Sequence, residues 1–416
     1  MFSDRRLAWT VALTAWAAVR TLHIGTLGWG SGLDVNLFGL YARRWSGGAV
    51  PYADFAVEYP PGAMLVFGAV GAWAGDGDYA RAFGGAMLAA DLAAFMMLVH
   101  AGRRAGRPMA AAATYLAFTF ALQPVLLRRF DIVPAAVVLA SLLLLPRAGR
   151  VREAAAFSLL GLGGAIKLWP LVLAPLWLAV AARRRGRAGL VAGIACLALG
   201  LALPALPFAA RAGPAMASVL EFHSRRGLQI ESTWGSLVMA LRAAGVMDAS
   251  IVHEYGAYHV RGRWPDLLAS WTLPVAAVLA LAPQVTWARR ARRDPPAMEA
   301  LALAAVAAVL GLVVGGKVLS PQFLLWLAPI VPLALAGGWA VVAAVGAAVL
   351  SSAVYPHLYP YLTDDLVHPG PGHGVAVALM CTRNLLLVAL YVAAVEAVRA
   401  GRAVLDFNAG RPADGA

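Results

Sequence analysis

Three carboxylates crowd one stretch of this chain. Asp34 stands in Gly32-Leu33-Asp34-Val35-Asn36-Leu37, and Asp54 and Glu58 follow in Pro51-Tyr52-Ala53-Asp54-Phe55-Ala56-Val57-Glu58-Tyr59-Pro60-Pro61-Gly62. Trp29, Tyr41, Trp45, Tyr52, Phe55 and Tyr59 are scattered among them. A carboxylate near low-dielectric surroundings can have its pKa raised and serve as a general base, while Tyr and Trp rings stack on sugar faces or sit at a membrane interface. A solvated loop with an aromatic belt is the bland alternative.

Lysine usage is as pointed. Of 34 Lys and Arg residues only Lys167 and Lys317 are lysines. Their surroundings are alike: Gly163-Gly164-Ala165-Ile166-Lys167-Leu168-Trp169-Pro170 and Gly315-Gly316-Lys317-Val318-Leu319-Ser320-Pro321, each a small-residue approach, a lysine, then a proline break. An ammonium near membrane depth is costly unless it faces a cavity or an anion, and broken helices expose N–H groups that favour phosphate. Snorkelling to the interface is the competing explanation. Arg128-Arg129-Phe130-Asp131 forms another turn, in which Asp131 can neutralise one arginine and leave the other for an anionic ligand, although a structural ion pair fits as well. Glu221-Phe222-His223-Ser224-Arg225-Arg226 and Gln229-Ile230-Glu231-Ser232-Thr233-Trp234-Gly235-Ser236 mix hydrogen-bonding groups with an aromatic face, as a polyhydroxyl ligand needs. An amphipathic helix on the membrane surface would look similar.

The elements that must position these residues are membrane spans. The 416 residues are 61% hydrophobic and 13% charged, with mean hydropathy +0.72, whereas a soluble domain carries about 25% charged residues. A soluble enzyme with an anchor is excluded, and long Ala/Leu-rich runs argue against a transmembrane barrel. The pattern predicts an all-α polytopic protein with spans at 7–23, 79–99, 109–126, 131–146, 154–166, 168–182, 189–208, 266–287, 298–315, 320–336, 339–354 and 375–399. A formal charge of +13 would suggest nucleic acid in a soluble chain. Here it sorts instead into clusters that the positive-inside rule places in the cytoplasm: Arg5/Arg6, Arg103/Arg104/Arg107, Arg147/Arg150/Arg152, Arg183/Arg184/Arg185/Arg187, Arg289/Arg290/Arg292/Arg293 and Arg399/Arg402. No nucleic-acid partner is expected.

Both termini then lie inside, and Pro61 to Ala74 is predicted to be a re-entrant or interfacial helix. Residues 1–400 form a single transmembrane domain with outer loops at 24–78, 209–265 and 355–374, and 401–416 read as a disordered cytoplasmic tail. Chemistry should face outward from a cytoplasmic (inner) membrane. No Walker A loop, HExxH, GxSxG or dinucleotide fingerprint is present. Cys196 and Cys381 lie in apolar runs and read as packing residues. The spacing of Asp34, Asp54 and Glu58 matches no metal motif, so neither a metal nor a cofactor is expected.

Asp34 with Tyr41, then Gly48-Ala49-Val50-Pro51-Tyr52, Asp54, Glu58-Tyr59-Pro60-Pro61-Gly62, Lys167-Leu168-Trp169-Pro170, the run from Gln229 to Ser236, and Lys317-Val318-Leu319-Ser320-Pro321-Gln322 resemble glycosyltransferase family 87. The resemblance runs from the first span to about residue 336, and Glu58-Tyr59-Pro60-Pro61 and Lys317 to Gln322 are its most specific parts. It implies a GT-C-like bundle of about twelve transmembrane helices and the activity of the actinobacterial polyprenyl-phosphomannose-dependent alpha-1,2-mannosyltransferases that build phosphatidylinositol mannosides. The partners implied are a polyprenyl-phosphate sugar donor, a glycolipid or lipoglycan acceptor, and the bilayer. The family's catalytic aspartate of the first outer loop falls on Asp34. Lys167, Lys317, Arg128 and Arg129 are the candidate donor-phosphate contacts. Asp54, Glu58, Tyr59, His223, Gln229, Glu231, Trp234 and Gln322 are the candidate acceptor or sugar contacts. A lipid phosphate is already a competent leaving group, so one base and cations on the phosphate suffice, with inversion at the anomeric carbon. A flippase of a lipid-linked phosphate precursor is the runner-up, and a scaffold without chemistry ranks last.

Overall fold

The computed structural model describes residues 2–147, 149–290, 297–335, 337–363 and 371–404. The proposed tail from 405 onward, Arg292/Arg293 and residues 364–370 of the third outer loop lie outside the described residues.

Among the described residues seven helical runs are long and apolar enough to cross a membrane: Arg6–Leu27, Tyr79–Arg104, Trp169–Arg225, Arg263–Arg290, Met298–Gly315, Gly338–Leu358 and Gly372–Arg399. The chain is a multi-pass membrane protein. The number falls below the dozen segments that hydropathy predicts for two physical reasons. First, Trp169–Arg225 joins two of them. Its helix Ala174–Ala202 is broken at Gly186, whose φ of 57° a glycine adopts freely. A side chain on Gly189 would meet the Ala181 carbonyl at 2.3 Å, so the chain doubles back there. Second, four segments are cut short. Pro108–Ala121, Ile132–Leu144 and Arg150–Ile166 hold 14, 13 and 17 residues, below the ~20 of a full crossing. The fourth, at 320–336, is a 3-10 turn Pro321–Trp326 and a single helical turn Val331–Ala334, in a stretch where Leu324, Leu325, Trp326 and Ile330 are all buried. Irregular backbone at that depth survives because protein covers it. Pro61–Ala74 is a 14-residue helix, as its length predicts.

Helix contacts are made by small residues. A Cβ on Gly161 would sit 2.2 Å from the Leu197 carbonyl, and one on Gly200 would sit 2.0 Å from the Ser158 carbonyl, so these backbones touch. Deeper in the bundle, Arg20 and Asp91 form a two-bonded ion pair at 2.8 and 2.9 Å. Trp16, Tyr115 and Thr119 add hydrogen bonds to it, tying three helices together.

One departure from all-α is a three-stranded antiparallel sheet, Leu228–Gln229, Ser250–Glu254 and Ala257–Arg261, with the last strand central. Tyr255 and Gly256, both at positive φ, make the two-residue turn between its longer strands. That is the backbone which a right-twisted hairpin requires. The sheet, the first loop, the Arg128–Asp131 turn and both lysine breaks gather at one end of the bundle. The arginines of 103–107, 147–152 and 183–187 lie at the other, where Arg184 and Arg107 cap the Pro146 and Leu333 carbonyls.

Candidate active site

Helix Arg150–Ile166 stops at Lys167, which is extended (φ −154°, ψ 137°), and a 3-10 turn Trp169–Leu173 follows. The break frees backbone groups inside the bundle, and Gln284 of the facing helix takes them up. Its Oε1 accepts from the Leu176 N–H at 2.9 Å and its Nε2 donates to the Val172 carbonyl at 2.9 Å. Lys167 Nζ donates to Asp131 Oδ1 at 2.6 Å, and Trp326 Nε1 donates to the same oxygen at 2.6 Å. The ammonium lies 4.8 Å from the centre of the Phe130 ring, and Trp326 stacks on Trp169 at 5.1 Å. Burial lowers the Lys167 pKa, with the Asp131 charge and hydrogen bond opposing it. The Asp131 carboxylate therefore serves Lys167 and an indole, not the arginines beside it in sequence. Its Oδ2 is buried without a hydrogen-bond partner.

The second break is closed differently. Lys317 Nζ donates to the carbonyls of Ser224 and Arg226 at 2.9 and 2.7 Å, at the end of helix Ser218–Arg225. The Lys317 carbonyl accepts from the Gln229 N–H at 2.9 Å. Gln229 Oε1 accepts from the Leu319 N–H at 2.8 Å, and Trp234 Nε1 donates to the Gly315 carbonyl at 3.1 Å. Among the described residues no carboxylate pairs with Lys317. Burial lowers its pKa, and the charges of Arg226 and Arg261 add to the effect. Glu231, buried one turn on, is pushed up to about 7 by burial, with Arg383 opposing. Arg383 and Asn384, on the last helix, both donate to the Glu231 carbonyl, and Arg383 Nη1 lies 3.3 Å from its carboxylate.

Between the two breaks lies a cavity of about 360 Å³. Tyr59, Trp169, Phe323 and Trp326 give it aromatic walls, and Lys167, His223, Arg226 and Lys317 face it. A wider hollow of about 730 Å³ adjoins it across His223, Arg226 and Lys317, reaching Ser270 and Leu273 on helix Arg263–Arg290. Both sizes suit a small-molecule site of mostly apolar walls and a few convergent polar groups. Arg226 is a cation of the cavity that its place in the Glu221–Arg226 run did not mark; its Nε is buried and unpartnered, and burial lowers its pKa, with Glu58 opposing.

Asp34 occupies the first turn of helix Leu33–Ser46 and forms an ion pair with Arg129 Nη1. Its side chain is 34% exposed, and it stands beside the cavity rather than in its wall. Burial raises the Glu58 pKa; the Asp34 charge adds to the rise, and Arg226 and Arg129 oppose it. Acids and cations thus alternate around this end: Asp34 with Arg129, Asp131 with Lys167, Glu58 near Arg226.

The other candidates fall elsewhere. Asp54 is exposed and accepts from the Val50 N–H at 2.7 Å, closing its own loop. Arg128 donates to the carbonyls of Leu27, Ser31 and Pro124, which pins the Arg128–Asp131 turn to the end of the first helix. Gln322 accepts from the Ser320 hydroxyl in its own turn. Sequence reasoning passed over Gln284 and Arg383; the available signal was a polar side chain inside an apolar span, which must find a partner. Among the described residues, no three His, Cys, Asp or Glu side chains are grouped to hold a metal ion.

The sequence pattern of glycosyltransferase family 87 matches residues 57–321. No curated protein sequence matches the chain. Three chains of solved structures do. One of them is the crystal structure of ArnT from Cupriavidus metallidurans in the apo state, 14% identical, with a TM-score of 0.47, over 95% of this chain and 78% of that one.

Proposed function

This chain belongs to glycosyltransferase family 87, and from that premise we propose that it transfers a hexose, mannose in our reading, from a polyprenyl-phosphate donor to a glycolipid or lipoglycan acceptor. It works at the outer face of the cytoplasmic membrane, in a GT-C-like bundle of about twelve membrane segments, the shorter of which are buried among the full crossings. The observation that carries the reading is the cavity between the two breaks, where aromatic walls suited to a sugar meet Lys317, a cation without an acid partner among the described residues.

Asp34 is the general base. Arg129 holds one carboxylate oxygen, which orients the other toward an acceptor hydroxyl beside the cavity. The hydroxyl oxygen attacks the anomeric carbon as Asp34 takes its proton. The carbon–phosphate-oxygen bond breaks on the opposite face, and its electron pair leaves with the phosphate, giving inversion. Lys317 offsets the charge that develops on the departing group, and Lys167, paired with Asp131, walls the cavity with it. Glu58 and Tyr59 position the acceptor. No step calls for a metal or a cofactor.

The test is transfer of labelled mannose from polyprenyl-phosphomannose to extracted glycolipids by protein in nanodiscs. Wild type transfers and a folded Asp34→Asn does not. Activity surviving in Asp34→Asn would move the base to Glu58. A folded wild type without transfer would turn attention to headgroup flipping, measured on the same protein in vesicles.

A further inference from the structure

A third hollow lies at the opposite, arginine-rich end, between helix Arg150–Ile166 and the second half of Ala174–Ala202. It measures about 150 Å³, and Arg150, Glu153, Phe157, Arg185, Gly193 and Cys196 line it. Its one acid is already engaged, because Glu153 pairs with Arg185 and stands 3.7 Å from Arg184. Arg185 Nε is nonetheless buried with no hydrogen-bond acceptor. Arg150 makes no ion pair among the described residues. The turns at 147–153 and 183–187 together carry seven arginines against Glu153 alone. On the face of the same helix turned away from the hollow, Val191 and Ile194 are 68% and 53% exposed.

Arginines solvated at a membrane rim account for the cluster but not for a buried Nε on an arginine that lines a hollow. Such donors need acceptors, and a phosphate oxygen is the acceptor a guanidinium matches best. We propose that this hollow binds the headgroup phosphate of an anionic phospholipid from the adjoining leaflet. Basic pockets between spanning helices are suited to such headgroups. The site is separate from the sugar-transfer cavity and does not depend on the reaction assigned there.

The experiment uses full-length protein in nanodiscs of phosphatidylcholine doped with phosphatidylglycerol, with retained lipid counted by native mass spectrometry. Wild type should retain phosphatidylglycerol preferentially. Arg150→Gln, at an exposed side chain outside the ion pairs, and Ala192→Phe, which fills the hollow, should each lower that preference about tenfold, the loss expected for one charged hydrogen bond. Arg289→Gln, at the same end but away from the hollow, should leave it unchanged. Equal retention of the two lipids by wild type, or unchanged retention in both hollow variants, overturns the site. An equal loss in Arg289→Gln overturns it in favour of general surface charge. Inorganic phosphate raising the thermal unfolding temperature as much as phosphatidylglycerol does overturns the lipid as its ligand.

Discussion

Lys167 and Lys317 stand in matching surroundings of glycine and proline, yet Lys167 meets a carboxylate within a ring of aromatics whereas Lys317 meets two backbone carbonyls. At Lys167 the charge is compensated, so that break is a fixed wall of the cavity. At Lys317 neutral dipoles hold the ammonium in place without cancelling it. A positive charge kept in a partly buried place without a counter-ion is where an arriving anion gains most. Two like sequences have thus been finished as two different devices, and the partner decides which.

Removing the partner is the sharpest way to break this contrast. Asp131→Ala leaves Lys167 buried with no acid and should cost about 3–5 kcal/mol of stability, read as a fall in thermal unfolding temperature. Asp131→Ala combined with Lys167→Leu should recover much of it, and a single variant as stable as wild type would mean the pair holds nothing together. Lys317→Ala should do the reverse. It should lower kcat/KM for the donor about 10- to 100-fold through the lost charged contact, while stability moves by about 1 kcal/mol. Equal stability losses at both lysines would erase the distinction.

A pH profile sharpens it further. Burial and the Arg226 and Arg261 charges lower the Lys317 pKa, so its proton is lost below the ordinary lysine value of about 10.4. Phosphate binding favours the protonated form. Donor affinity should therefore weaken as pH rises through that range, and Lys317→Arg should carry the alkaline limb higher. The smallest effect is expected at Trp234→Phe, which removes the indole N–H from the Gly315 carbonyl. It should cost about 1 kcal/mol of stability, with at most a severalfold change in transfer.

The apolar helices were legible because a span is written in consecutive residues. The lysines were legible because they are rare. Their partners were not, since Asp131 reaches Lys167 and Asp34 reaches Arg129 across the fold, while the nearest opposite charges in sequence pointed to Asp131 with an arginine. The hairpin at Tyr255 and Gly256 was not legible, because neither Ser250–Glu254 nor Ala257–Arg261 alternates apolar with polar residues; each takes its register from the other. Gln229 and Trp234 were readable as polar and aromatic groups at a site, and in the fold their polar atoms serve freed backbone first. A helix break inside a bundle demands that before any ligand can be addressed.

The Arg383–Glu231 contact sets an order in time. The two residues are 152 positions apart, and Arg383 lies beyond the matched region 57–321. At ~5–20 residues per second of synthesis, Glu231 waits on the order of ten seconds or more for its partner. During that interval the Gln229–Ser236 loop, and through it the Lys317 turn, lacks its anchor. The loop that braces Lys317 is therefore completed only after the helix Pro371–Arg399 has been made. A nascent chain stalled before Arg383 would hold every acid and cation of the site with Glu231 still lacking its buried counter-charge.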